Sequence, residues 1–275
     1  MRIPTAALWS ALLLAGCSTP NALHSTALEP GDANAPSQVT PSESLAIAQA
    51  YTQHGWKPFA RNILHGKDSD GILVHTPDIS HQTPPERRGW WIPGELNRGV
   101  PYKWGGYDNL TSFDQGVADG LAAGDVSTPA KRRADNAAVS TRAVGLDCSG
   151  FVSRCLKLPK AHDTTQLPAV CTPLPDSSDL RPGDILNIPR GHVVLCAGWA
   201  DREKRWVYYY DTGGAPDYWK PSLKESPVEQ LLALGYQPLR YRGMARESKP
   251  SGKEILTRNL QSTALRVADP EIGAP

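Results

Sequence analysis

The stretch Asp147-Cys148-Ser149-Gly150-Phe151 decides the fold of this chain, because it places a cysteine at the start of a helix. Residues 151–158 carry apolar side chains at helical spacing and are followed by a proline. Asp147 is a suitable N-cap, and Gly150 permits another backbone to approach closely. A cysteine attacks as its thiolate, a form that the positive end of a helix favours. Cys148 is therefore a candidate nucleophile; taken alone, it fits a buried structural cysteine better.

A cysteine nucleophile needs an imidazole to form an ion pair with it and to protonate the leaving amine. Of the seven histidines, six lie in a predicted tether, helix end, hairpin or polar loop: His24, His54, His65, His75, His81 and His162. His192 differs, because it opens an apolar strand over residues 193–197. Backbone hydrogen bonds fix a residue at a strand start while its ring stays at the sheet edge. His192 is therefore the candidate base.

A third residue is needed to accept the other imidazole N–H and orient the ring. Residues 206–211 form a strongly β-prone stretch that ends before a pair of glycines. Strand alternation places Tyr209 and Asp211 on one face of that strand. Asp211 is the candidate orienting residue, and its alternative role is that of a turn residue at the strand end.

Four motifs follow one another in order between residues 101 and 214. They are Tyr102-x-Trp104-Gly105-Gly106, Asp147-Cys148-Ser149-Gly150-Phe151, Arg181-Pro182-Gly183-Asp184-Ile185-Leu186 and Gly191-His192-Val193-Val194. This order resembles the NlpC family of bacterial cell-wall peptidases, which are papain-like cysteine enzymes. The resemblance implies Cys148 as the nucleophile and His192 as the general base and acid.

The resemblance also implies that Tyr102, Asp147 and Ser149 line a pocket for the free amino end of a peptide. A carboxylate beside hydroxyl groups can select an ammonium group. A core tyrosine and a plain helix cap are the alternative roles. The chain departs from the family where many relatives carry a second histidine and this sequence has Asp211. It departs again in a long insertion over residues 107–146, which we expect to wall or cover part of the substrate groove.

We predict an α+β, papain-like domain in which an antiparallel β-sheet packs against the helix that carries Cys148. Strands are expected over 184–188, 192–197 and 206–211, and helices over 44–54, 114–117 and 131–138. A hairpin is expected to pair 59–64 with 72–75. Cys155 and Cys196 are expected to point into the helix–sheet core, and a Cys155–Cys171 disulfide is left open. No His/Asp/Glu cluster has metal-ligand spacing along the sequence, so neither a metal nor an organic cofactor is predicted.

Residues 1–16 have the pattern of a secretory signal peptide, with a basic start, a short apolar run and small residues. Leu14-Ala15-Gly16-Cys17 resembles a bacterial lipobox, which implies that Cys17 becomes a lipidated N-terminus; an ordinary cleaved signal peptide is the alternative. Ser18 favours anchoring in the outer membrane, facing the periplasm. We expect a flexible tether over 17–43, a catalytic domain over 44–245 and an irregular tail over 246–275.

The charges nearly cancel, with 29 basic and 28 acidic residues, which disfavours binding to nucleic acid. We expect a monomeric, lipid-anchored cysteine peptidase that hydrolyses peptidoglycan stem peptides through a thioester acyl-enzyme. The preferred target is the γ-D-glutamyl–diaminopimelate bond. A peptidoglycan amidase and an endopeptidase that opens cross-links are the enzymatic alternatives. A non-catalytic envelope-binding lipoprotein and a lipid acyltransferase are alternatives of other classes.

Overall fold

The computed structural model describes residues 38–83, 87–213 and 218–247. The α-helices are α1 (Pro41–Gln53), α2 (Leu110–Ala118), α3 (Pro129–Ala134), α4 (Cys148–Cys155), α5 (Leu167–Val170) and α6 (Val228–Ala233). The strands are β1 (Gly55–Trp56), β2 (His65–Lys67), β3 (Leu73–His75), β4 (Gln82–Thr83), β5 (Arg87–Arg88), β6 (Asn97–Arg98), β7 (Ala122–Ala123), β8 (Ala143–Val144), β9 (Cys171–Pro173), β10 (Ile185–Ile188), β11 (His192–Trp199), β12 (Trp206–Thr212), β13 (Pro221–Pro227) and β14 (Gln237–Tyr241). Single turns of 3₁₀ helix lie at Ala60–Asn62, Asp135–Ala138 and Ser177–Asp179.

A six-stranded antiparallel sheet carries the C-terminal part of the described chain. Its strand order is β13-β12-β11-β10-β14-β9. β10 and β11 form a tight hairpin in which Ile188 pairs with His192, and β12 lies on the other side of β11. The three strands predicted from the sequence are thus present, within one or two residues at most ends. Strands β9, β13 and β14 were not predicted.

Helix α4 packs against one face of this sheet. Val193 and Leu195 of β11 share a core with Phe151 and Val152 of α4, because alternate residues of a strand face the same side. The prediction of an α+β domain whose antiparallel sheet packs against the Cys148 helix is therefore confirmed at this level.

The opposite face of the sheet has its own apolar cluster. Cys196 lies there with Val194, Val207 and Leu231, whereas Cys155 lies in the core beneath α4. The expectation that both cysteines point into the helix–sheet core is therefore wrong for Cys196, because Val194 and Cys196 alternate with Val193 and Leu195, which face the helix. The four cysteines in the described part of the chain are free, so no Cys155–Cys171 disulfide forms.

The folded part extends beyond both boundaries expected from the sequence. Helix α1 begins at Pro41, capped by Thr40, and Val39 is fully buried. Glu247 accepts a hydrogen bond from the Ser42 backbone N–H at 2.6 Å. Residues 39–43, assigned to the tether, and residues 246–247, assigned to the tail, therefore belong to the fold.

Between α1 and α4 the chain makes short strand pairs, β1–β6, β2–β3, β4–β5 and β7–β8. The predicted hairpin is present as β2–β3, but residues 59–64 contain a 3₁₀ turn, and the first strand starts at His65. The predicted helix over 131–138 is divided into α3 and a 3₁₀ turn. In the 107–146 insertion, Phe113, Val117 and Leu146 are core residues. The insertion is thus built into the domain rather than only lying over it.

The signal segment, Cys17 and most of the predicted tether lie outside the described residues. Among the residues that are described, no helix combines the length and apolar character that crossing a bilayer requires.

Candidate active site

The first turn of α4 presents Cys148 at the end of the helix where backbone N–H groups have no intrahelical partner. Asp147 caps this turn, and its Oδ1 accepts the Gly150 N–H at 2.6 Å. The Gly105–Gly106 loop lies directly on the helix start. The Gly105 N–H donates to Asp147 Oδ2 at 3.1 Å, and a Cβ added to Gly150 would lie 1.9 Å from the Gly106 carbonyl oxygen. The close backbone approach expected at Gly150 is confirmed.

His192 begins β11 and lies between Cys148 and Asp211. Its Nε2 lies 2.6 Å from Asp211 Oδ1, and the charge of Cys148 is close enough to act on its pKa. Because Nε2 is engaged by the carboxylate, Nδ1 is the ring nitrogen that remains for the thiol. Burial opposes the charging of His192, but the adjacent Cys148 thiolate and Asp211 outweigh it and raise its pKa to about 10.

Asp211 is the candidate residue for orienting the His192 ring, and its side chain is only 8% exposed. Its Oδ1 faces His192, and its Oδ2 accepts a hydrogen bond from Lys224 Nζ at 2.6 Å. Burial raises the pKa of a carboxyl group, but the bonds and charges of His192 and Lys224 outweigh it and lower the pKa of Asp211 to about 2. Asp211 therefore stays ionised and holds the imidazole ring.

Lys224 is a site residue that the sequence reasoning missed. It lies on β13, one strand beyond Asp211, in register with Tyr209. Among Ser222-Leu223-Lys224-Glu225-Ser226 only Leu223 is apolar, so no apolar alternation marked this strand in the sequence. Tyr236 was missed as well; its ring meets the His192 ring edge-on, with centroids 6.4 Å apart.

Tyr102, Asp147 and Ser149 lie around the nucleophile, as the motifs implied. The phenol of Tyr102 is buried, and its pKa is raised by burial and by the nearby charges of Cys148 and Asp147. Ser149 Oγ donates to Asp147 Oδ1 at 2.9 Å. Burial raises the pKa of Asp147, while its three N–H and O–H donors oppose that rise. The cap role of Asp147 is thus established, and its role towards a substrate stays a prediction.

A second histidine group lies apart from this site. His65, His75 and His81 each offer a ring nitrogen, and these nitrogens all lie within 4.8 Å of one another. Sequence spacing gave no sign of such a group, since its members come from two strands and a loop. The group borders the Tyr102 region through Trp219, whose ring contacts both Tyr102 and His81.

No family model, curated protein or solved structure matches this chain. The family resemblance of the four motifs therefore stays a prediction.

Proposed function

We propose that this chain is a papain-like cysteine peptidase that hydrolyses peptidoglycan stem peptides. The observation that carries the proposal is the position of His192, whose Nε2 lies 2.6 Å from Asp211 Oδ1 and whose pKa responds to the charge of Cys148. A nucleophile, a base within reach of it and a buried carboxylate behind the base form the arrangement that activates a thiol for acyl transfer. The order of the four sequence motifs supplies the substrate class.

The first step forms an acyl-enzyme. The Cys148 thiolate attacks the carbonyl carbon of the scissile amide, and a C–S bond forms. The His192 imidazolium donates its proton to the amide nitrogen, so the C–N bond breaks and a neutral amine leaves. Asp211 keeps the ring in position while its charge changes, because Lys224 fixes the far carboxylate oxygen.

The second step returns the enzyme to its starting state. A water molecule gives a proton to neutral His192 and attacks the thioester carbonyl, and the Cys148 thiolate leaves as the acid product forms. Negative charge develops on the carbonyl oxygen in both steps. The first-turn N–H groups of α4 point towards that charge, and the Asp147 cap uses the Gly150 N–H alone.

The preferred bond follows from the position of the proposed amine pocket. Asp147 and Ser149 flank Cys148 in the chain, and the Tyr102 phenol is close enough for its pKa to respond to the charges of Cys148 and Asp147. A free amino end held there leaves room for only a short segment before the nucleophile. In a stem peptide that begins with L-Ala and γ-D-Glu, such a pocket supports the γ-D-glutamyl–diaminopimelate bond as the proposed target. We further propose that a lipid on Cys17 holds the enzyme in the cell envelope.

Cys148→Ala tests the proposal on defined muropeptides with a free L-Ala end. The wild-type enzyme is expected to release diaminopimelate-containing fragments, identified by product mass, and the variant to release none while melting at the same temperature. Cys171→Ala, which removes a thiol outside the site, is the matched control and should stay active. Retained activity in Cys148→Ala overturns the mechanism. Products cut at muramic acid–L-Ala or at a cross-link would instead identify an amidase or an endopeptidase.

A thiol-reactive, substrate-like probe separates a peptidase from a non-catalytic wall-binding protein. Labelling at Cys148 near neutral pH is expected, because the proposed mechanism makes this thiol the nucleophile and His192 its base. Absence of labelling in the folded wild-type protein would favour the binding protein.

A further inference from the structure

Three histidines meet on the surface beside the active-site region, and none of them takes part in the proposed chemistry. His65 and His75 are directly opposite each other in the β2–β3 hairpin, and His81 follows in the next loop. Their ring centroids are 5.9 to 6.1 Å apart in all three pairings. The three imidazoles therefore form a compact group that opens to solvent at His65.

The backbone around His81 is fixed, so the group does not depend on a loose loop. The His81 N–H donates to the Asp78 carbonyl at 2.9 Å, and the Gly89 N–H donates to the His81 carbonyl at 2.9 Å. A Cβ at Gly89 would lie 1.6 Å from the Asp78 carbonyl oxygen, so only glycine allows this approach. The loop continues into Trp91, a fully buried core residue.

A buried carboxylate stands behind the group. Asp78 is fully buried, and its Oδ2 lies 2.8 Å from His65 Nε2. Thr76 and Ser80 also donate to Asp78, at 2.7 Å and 2.5 Å, which fixes the carboxylate. A carboxylate that accepts from one ring nitrogen is the usual outer partner of a metal-bound imidazole, since it sets the tautomer and the ring orientation. The other nitrogen of His65, Nδ1, is left for a metal.

We propose that His65, His75 and His81 bind one divalent transition metal ion of the zinc class. Imidazole nitrogens suit zinc, copper, nickel and iron rather than magnesium or calcium. Three protein nitrogens leave one coordination position of the metal for water. Solvent reaches this position on the side of His65. Tetrahedral coordination at about 2.1 Å needs nitrogens about 3.4 Å apart. Small changes in the side-chain torsions of the three histidines, with the His65–Asp78 contact kept, bring the nitrogens closer from their present spread, which is within 4.8 Å.

The cation that acts on His75, Lys131, does not oppose this site strongly. Lys131 is close enough for its charge to act on His75, but its Nζ is paired with buried Asp125 at 2.7 Å. Asp125 Oδ1 in turn accepts the His75 backbone N–H at 3.2 Å. The metal would thus join the hairpin and the 76–91 loop at the edge of the Tyr102 region, where it acts as a structural clamp.

Cobalt titration of the full chain tests the site. The protein is purified without a histidine tag and stripped of metal with a chelator. It carries Cys148→Ala, so that Cys148 and His192 cannot bind the ion together. We expect one Co²⁺ per chain, with the intense visible bands of a low-coordinate ion, and displacement by one Zn²⁺. His65→Gln and His81→Gln are expected to weaken binding at least 100-fold, and Asp78→Asn about 10- to 100-fold.

His162→Gln is the matched control, because His162 is a half-buried histidine outside the group. It should bind Co²⁺ as its parent does. Since His65 is exposed, His65→Gln should melt as its parent does in chelator, which shows that it has folded. Absence of stoichiometric binding in the folded parent, or unchanged affinity in both His65→Gln and His81→Gln, overturns the proposal. The outcome is independent of peptidase activity, since Cys148 is absent throughout.

Discussion

Two histidine-bearing regions of this molecule are built in opposite ways. His192 stands on an eight-residue strand within a six-stranded sheet, facing a helix start. The group of His65, His75 and His81 lies on a hairpin of two three-residue strands and on a loop. The first region fixes its side chains through strand register and a helix cap. The second fixes them through turns and a buried carboxylate.

The two regions also differ in what surrounds the imidazoles. His192 is flanked by Cys148 and Asp211, which raise its pKa to about 10. His75 and His81 have lowered pKa values, because burial and neighbouring histidines disfavour the charged form. One region therefore favours a charged imidazolium at His192, and the other disfavours charge on His75 and His81. Neutral rings are the form that binds metals.

The largest expected effect is a double dissociation between the regions. His192→Gln should lower kcat by about 10⁴-fold or more, because no group remains to protonate the leaving amine. His65→Gln should leave kcat within about twofold, since His65 is not one of the proposed catalytic residues Cys148, His192 and Asp211. The Tm of the metal-free wild type should be about 5–10 °C lower than its Tm in the presence of zinc at 100 times the Kd. His65→Gln should abolish that shift.

The assay measures kcat on muropeptides and melting with and without zinc for both variants. If zinc depletion alone lowers kcat as far as His192→Gln does, the regions are one site and the comparison fails.

Asp211→Asn is expected to have the next largest effect, a loss of about 10²- to 10⁴-fold in kcat. The amide keeps the size of the carboxylate but not its charge, so the imidazolium loses its partner. A loss below threefold would show that Asp211 is only a strand-end residue. Asp201→Asn, on the exposed turn before β12, is the control, with little expected change.

The same variant has a defined signature in stability. The pKa of Asp211 is about 2 in the folded state, below its unfolded value of about 3.9. Its contribution to the free energy of unfolding is therefore complete above pH 4 and is lost as pH falls through 2. The folded pKa of His192 is about 10, so its contribution is complete below pH 6.5 and is lost as pH rises through 10. The unfolding free energy of wild type minus Asp211→Asn should therefore peak between about pH 4 and 6.5, at roughly 2 kcal/mol. Denaturant melts across pH measure this.

The regular region was largely predictable from sequence. The helix cap at Asp147 and the alternation of Tyr209 and Asp211 are local properties, because each follows from residues next to one another. The three central strands followed from the same periodicity. Lys224 did not, because β13 is a polar strand without the apolar alternation that marks a half-buried one. The predicted orientation of Cys196 was also wrong, since assigning a strand residue to one face of the sheet requires knowing which face the helix covers.

The irregular region was barely predictable. Its strands are two or three residues long, too short to show a period. His81 reaches the hairpin only because a turn at Asp78 and the close approach at Gly89 fold the loop back. Such contacts between distant residues leave no spacing rule in the sequence. Cysteine and histidine spacing therefore misses metal sites whose ligands come from loops.

Asp147→Asn tests where the cap role ends and the proposed substrate role begins. Asparagine caps helices as well as aspartate does, so Oδ1 should still accept from Gly150. Its amide cannot accept from the Gly105 N–H, which should cost about 1 kcal/mol of unfolding free energy. Loss of the negative charge should raise KM about tenfold for peptides with a free amino end, with kcat little changed. An N-acetylated peptide is the matched control, and an equal KM change for both peptides would assign Asp147 to the cap alone.

Lys224→Met is expected to have the smallest effect and locates the boundary of the catalytic region. Lys224 acts through Asp211, so it is a positioning residue, and its removal leaves the Asp211–His192 bond in place. We expect kcat to fall about threefold, a barrier change of roughly 0.7 kcal/mol. The loss of the Lys224 charge should also raise the pKa of Asp211, so the acid limb of the pH profile should move upward. Lys224→Arg should recover part of both changes, and Glu225→Gln on the neighbouring position should change neither. A lower kcat with an unmoved acid limb would mean that Lys224 only packs the sheet, because a structural role does not alter the charge that Asp211 places behind His192.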